Sequence, residues 1–205
     1  MNRALIAMAV GLTLLLVAGL GALAYQFSGI ELPRLQQAGT SPGDGRPQIG
    51  GPFALVDGAG KPVTDQDFRG RYMLIYFGYT HCPDACPTAL NDMALALATL
   101  GAARPRVQPI FITVDPERDR GQALTDYVGA FGPDFIGLTG TEDQIGQVKK
   151  LFKVYAAKHP TKDGDYDMDH SSIIYLMDPS GRFITNFTHE TSPDEMATKM
   201  ESLLS

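Results

Sequence analysis

The sequence predicts an α/β domain carried behind a single membrane-spanning helix, and three observations predict it. The run from Ala4 to Tyr25 has no charge and no proline. Apolar runs at 73–79, 107–115 and 171–178 read as strands. Between and after them, apolar residues recur at three- and four-residue spacing, the period of a helix with one buried face.

The 205 residues divide into an anchor over 1–25, a linker over 26–49 and a domain over 50–205. A helix covering the first apolar run spans about 33 Å, enough to cross a bilayer core of about 30 Å. A cleaved signal peptide competes with this reading, because Arg3 gives a basic start and Ala22-Leu23-Ala24 fits a cleavage site. The apolar run exceeds the roughly 7–15 residues of a signal core, which favours a retained anchor. With Arg3 ahead of the span, the amino terminus is expected in the cytoplasm and the domain outside it. The linker is rich in Gly, Pro, Ser and Gln and reads as an irregular tether. Seventeen Lys and Arg against 23 Asp and Glu, a net charge of −6, argue against a nucleic-acid partner, which requires a basic patch.

Residues 53–64 place apolar positions on both sides of Asp57-Gly58-Ala59-Gly60, the pattern of a hairpin. MLIYFGY, 73–79, is continuously apolar, as in a central strand covered on both faces. A helix follows from about Pro87 to Leu100, with Leu90, Met93, Ala94, Leu97 and Leu100 inward; Pro87 at its first position puts Cys86 at the cap or just before it. After the strand at 107–115, Asp119 and Gln122 resemble a capping pair for a helix carrying Leu124, Tyr127, Val128 and Phe131. Phe135–Leu138 reads as a short strand, and Thr141 with Gln144 caps a helix burying Ile145, Val148, Leu151 and Phe152. Residues 156–170 break the periodicity and read as an acidic loop. Its aspartates at 163, 165, 167 and 169 do not make an EF-hand, since Met168 stands where glycine is needed and Ile174 where glutamate is needed. SSIIYLMD and RFITNF then form a hairpin around Pro179-Ser180-Gly181, and Ser192-Pro193-Asp194-Glu195 opens a last helix. Strands alternating with helices and ending in a hairpin and a helix are the order of a thioredoxin-like domain, here with a peroxiredoxin-like N-terminal hairpin.

The chemistry concentrates at Cys82-Pro83-Asp84-Ala85-Cys86, which holds both cysteines of the chain. Three readings stand: a redox dithiol, although the spacer has three residues where the usual motif has two; a structural disulfide, although so short a loop restrains little entropy; and a metal site. A helix N-terminus beside the sulfurs favours thiolate in each case. Of four histidines, His81 adjoins Cys82 but an adjacent side chain commonly points elsewhere, while His159 and His189 lie in turn-like, exposed contexts. His170 stands where the acidic loop enters a strand. If that strand lies beside the one carrying Tyr76 and Phe77, the ring can face both sulfurs. Two thiolates and an imidazole form a soft donor set that suits copper best and leaves zinc as a competitor. The methionines form no cluster, and no C-x-x-C-H run attaches a haem.

The runs YFGYTHCPDACPT, FITVDPERD, FIGLTG and DYDMDHSSIIYLMD, in this order, closely resemble the Sco/SenC family of membrane-anchored copper proteins that assist cytochrome c oxidase assembly. The resemblance covers about 50–203 and is nearest to the bacterial PrrC type. It implies a thioredoxin-like fold in the periplasm on a single-pass inner-membrane anchor. It implies Cys82, Cys86 and His170 as ligands to copper, Cu(I) and in some states Cu(II), with Asp115 an acidic residue beside the ligand set. It implies delivery to the binuclear copper site of oxidase subunit II or another copper-site protein, with an upstream copper donor or thiol reductant, and a monomeric chain. Some members are thought to act as thiol:disulfide oxidoreductases, which makes Cys82 and Cys86 redox residues on the alternative reading. A peroxidase and a pure interaction module are the remaining alternatives; the second leaves the cysteines unexplained.

Overall fold

The computed structural model describes residues 48–162 and 164–204. The predicted anchor, and all of the linker except its last two residues, lie outside them. Among the described residues no helix is long and apolar enough to cross a membrane.

A seven-stranded sheet organises the domain: β1 (Ala54–Asp57), β2 (Pro62–Thr64), β3 (Tyr72–Gly78), β4 (Val107–Thr113), β5 (Ile136–Thr139), β8 (Ile173–Met177) and β9 (Phe183–Thr188). Their order is β2-β1-β5-β4-β3-β8-β9. The interior strands are those whose sequence is apolar without alternation. Met73 to Phe77 and Ile110 to Ile112 are buried on both faces, as expected where helices cover both sides. β3 runs parallel to β4 and antiparallel to β8, with Tyr76 opposite Ile174. That register brings the end of β3 and the start of β8 to the same edge of the sheet.

Helices α1 (Ala85–Thr99), α2 (Gly121–Gly129), α3 (Glu142–Phe152) and α4 (Pro193–Leu203) complete the fold, with α1 and α4 packed together. The unit β3-α1-β4, followed later by β8-β9-α4, is a thioredoxin-like arrangement with the β1-β2 hairpin added at its start. Two of the three expected capping pairs are formed. Thr141 Oγ1 accepts from the Gln144 amide and Ser192 Oγ from the Glu195 amide, each with the reciprocal bond.

Three sequence expectations change. α1 begins at Ala85, two residues before Pro87, so Cys86 lies inside its first turn. First-turn amides have no intrahelical acceptor, so proline is tolerated there beyond the first position. Asp119 does not cap α2: Arg120 occupies the N-cap and makes no side-chain cap bond. Asp119 is fully buried and turned inward, while Gln122 donates to Asp126. Finally, 156–170 is not an irregular loop but a separate two-stranded sheet, β6 (Ala156–Pro160) paired with β7 (Tyr166–His170).

Candidate metal centre

β3 ends at Gly78, and the chain turns through Tyr79-Thr80-His81 into the cysteines. The turn is held from the loop after β4, where Asp119 accepts from the Thr80 amide (2.9 Å), Thr80 Oγ1 (2.6 Å) and Thr113 Oγ1 (2.7 Å). This buried carboxylate, not an N-cap, ties the cysteine loop to the neighbouring strand.

Cys82 is half-buried and Cys86 fully buried. The Cys86 amide, one of the free donors of the first turn, points at Cys82 Sγ at 3.4 Å. Asp84 occupies the N-cap without making a cap bond, so Cys82 takes the acceptor role that a capping side chain usually fills. The Cys86 thiol hydrogen-bonded to Cys82 is the largest influence holding Cys82 well below the ordinary thiol range. His170 and the Cys86 and Asp84 amides act in the same sense, against burial. Cys86 is pushed up, first by Cys82 and then by burial. Thiolate is thereby favoured at Cys82, the more open sulfur, over Cys86 behind it. An alkylating reagent is expected to modify Cys82 before Cys86. Its rate should change little between pH 8 and pH 6, where an ordinary thiol of pKa about 8.5 would slow by roughly two orders of magnitude; peptide mapping of the labelled site against pH measures this.

His170, last residue of β7, reaches the same corner from 84 residues further along, with Nε2 3.3 Å from Cys86 Sγ. Its Nδ1 lies 3.2 Å from the Ser171 carbonyl, which can only accept, so Nδ1 donates there and Nε2 is the nitrogen that faces the sulfurs and could bind a metal ion. Tyr76 and Tyr79 meet the imidazole edge-on, at ring-centroid distances of 6.1 and 5.7 Å. The two sulfurs and the imidazole nitrogen all lie within 4.8 Å of one another. Two soft donors and a borderline one at this spacing suit a soft ion such as Cu(I).

The other histidines stand apart. His81 Nδ1 is 3.1 Å from Thr80 Oγ1, His159 Nε2 pairs with Asp169 at 2.8 Å, and His189 is exposed beyond β9. Asp115 is fully buried and, among the described residues, its carboxylate accepts from Arg118 Nε at 2.5 Å and from the Tyr166 hydroxyl at 2.9 Å, with no hydrogen bond to the three clustered residues.

Sequence reasoning passed over Gly78 and Arg118. A Cβ at Gly78 would lie 2.7 Å from Cys86 Sγ, so the buried sulfur occupies the space a side chain would take. The glycine's place at the end of the strand leading into the cysteines was the available signal. Arg118 had none beyond its charge.

A thioredoxin-like domain with a thiolate at a helix N-terminus and an imidazole aimed at it is a thiol-and-metal binding module. The SCO1/SenC profile matches residues 41–205, and the chain belongs to that family. It is 44% identical over 163 residues to Protein sco1 of Schizosaccharomyces pombe, covering 77% of this chain and 62% of that protein. It is 40% identical over 159 residues to the mitochondrial SCO1 homolog of Homo sapiens, covering 76% of this chain and 53% of that one. The matched part is therefore between half and two thirds of the length of these two relatives. Among solved structures, copper-bound ScoI of Bradyrhizobium japonicum is 47% identical, with a TM-score of 0.70 over 75% of this chain and 98% of its own.

Proposed function

We propose that this chain is a copper metallochaperone. It carries one copper ion on Cys82, Cys86 and His170 and delivers it to the binuclear site of cytochrome c oxidase subunit II. The observation that carries this reading is the convergence of exactly these three donors within 4.8 Å. The copper-bound relative supports the choice of ion. Residues 1–25 anchor the chain in the bacterial inner membrane and hold the domain in the periplasm.

The residues divide the work by burial. Cys86 lies at the bottom of the site, held between α1 and the end of β3. Cys82 stands at the rim, where an incoming thiolate of the partner can replace it on the ion. His170 comes from a hairpin outside the main sheet. Transfer is then a series of ligand exchanges, each new donor replacing one of the chain's own, with no net redox change.

The test is anaerobic titration of the reduced protein with Cu(I) against a chromophoric chelator. One ion per chain is expected, with His170→Ala weakening binding by more than about tenfold, a loss of at least about 1.4 kcal/mol. Unchanged affinity in that variant rules out the three-donor site.

The thiolate at Cys82 with a thiol behind it favours a second reading, reduction of the disulfide of the target site. Cys82 attacks one sulfur of that disulfide and releases the other as a thiolate. Cys86 then loses its proton, displaces the partner from the mixed disulfide, and leaves the chain oxidised until an upstream thiol reductant restores it. This activity would be lost in Cys82→Ser and kept in His170→Ala.

A further inference from the structure

We infer that Arg118 is a positioning residue for the metal site, clamping the β6-β7 hairpin so that His170 stays aimed at the two sulfurs; the inference rests on the proposed copper-binding role of His170. The hairpin forms its own two-stranded sheet, with no ladder to the main sheet among the described residues, yet it ends in His170. Something other than strand pairing must hold the imidazole in place.

At the base, the Ser171 amide bonds to the Tyr155 carbonyl and the Tyr155 amide to Ser171 Oγ. These bonds fix where the hairpin emerges, and Met168, buried in the core, packs its middle against the domain. Along its length the hairpin meets the loop after β4, and there the contacts centre on Arg118. Its Nε donates to buried Asp115. Its Nη1 donates to the Tyr166 carbonyl at 3.0 Å and to Asp165 at 3.2 Å. The guanidinium lies 3.8 Å from the centroid of the Tyr166 ring and 5.9 Å from that of Tyr79. Tyr79 in turn meets His170 edge-on at 5.7 Å, with the rings at 89°. One planar cation thus joins the domain's buried carboxylate, the main chain and the Tyr166 ring of the hairpin, and Tyr79, which meets the imidazole.

The other ion pairs that hold the hairpin are weaker. Lys158 pairs with Glu117, and Asp165 is the second acidic partner of Arg118, but Glu117, Lys158 and Asp165 are all exposed, and exposed pairs contribute little. Arg118 is only 17% exposed, and its Nη2 is buried without a hydrogen-bond partner among the described residues. A lysine could not replace it, since a single ammonium lacks both the fork and the flat face that the arrangement uses. Asp115 acquires a role through the same contacts: it orients the clamp and reaches His170 by way of Arg118 and Tyr79.

The test uses the reduced full-length chain in detergent, native and as R118A, H170A and R118A/H170A. Hydrogen exchange of the metal-free proteins is read over 156–170 and over β3 and β4. In R118A the hairpin amides are expected to exchange at least about tenfold faster, with the core strands unchanged. Cu(I) affinity, by chelator competition, should fall about tenfold in R118A, the lower end of the effect of residues that orient metal ligands. The double variant should bind no more weakly than H170A alone, because Arg118 acts through that imidazole. Unchanged hairpin exchange in R118A overturns the clamp, and so do copper losses that simply add in the double variant. If H170A alone binds copper as tightly as the native chain, the metallochaperone reading fails, and hairpin exchange still decides the clamp. Should R118A fail to fold, R118K is read in the same assays, with hairpin loosening in the same direction expected.

Discussion

Asp119→Ala is expected to lower the stability of the domain by about 3–5 kcal/mol, a large fraction of the total for a domain of this size. The carboxylate is fully buried and accepts three hydrogen bonds, from the Thr80 amide, the Thr80 hydroxyl and the Thr113 hydroxyl. Removing it leaves three donors without their partner and a cavity where the carboxyl group stood. Each unmatched buried donor costs about 1–3 kcal/mol, less for one that finds water. Asp119→Asn keeps the volume but turns one acceptor into a donor facing donors, so it should recover only part of the loss. Urea unfolding followed by far-UV circular dichroism measures both. Because Thr80 stands two residues before Cys82, copper capture should fall as well. Wild-type midpoints in both variants would show that the loop is held by something else.

Asp119 also shows what the sequence could and could not tell. A short polar residue followed three positions later by glutamine, ahead of an apolar helix, is the local pattern of a cap. At Thr141 and Ser192 that pattern meant what it says. At Asp119 the same local pattern surrounds a group whose partners lie on β4 and on the turn after β3, and local spacing carries no information about them. The hairpin at 156–170 failed differently. Tyr166, Met168 and His170 alternate with Asp165, Asp167 and Asp169 in the two-residue period of a strand, but the acidic composition outweighed the alternation. The strands of the main sheet were legible because burial on both faces leaves little but apolar residues, and that constraint is local. The sulfurs were legible from their spacing, and His170 from its place at a strand entrance. The meeting of the three depended on β8 pairing with β3, which the sequence left as a condition and the register of Tyr76 with Ile174 meets.

Gly78→Ala should weaken Cu(I) binding by about a hundredfold, near 2.7 kcal/mol, although the residue bears no donor atom. The added methyl would lie 2.7 Å from Cys86 Sγ, 2.9 Å from Tyr76 Cε1 and 3.0 Å from Phe111 Cε2. All three neighbours belong to fully buried side chains, so none can turn out into solvent. Relief must come from the end of β3, which is paired to Thr113 of β4, or from the first turn of α1, which carries Cys86. The helix end gives way more readily, because a strand shift also breaks ladder bonds, and its movement carries the sulfur out of line with Cys82 and His170. Overpacking of this kind costs about 1–3 kcal/mol of stability by itself. Gly146→Ala is the matched control, since Gly146 lies within α3 with open space around it, and there the exchange should leave copper affinity unchanged and stability equal or slightly higher. Chelator competition and thermal unfolding on the two variants separate a displaced ligand from a general loss of packing. Native copper affinity in Gly78→Ala would mean that the buried sulfur has room to move and that its position is not what the site depends on.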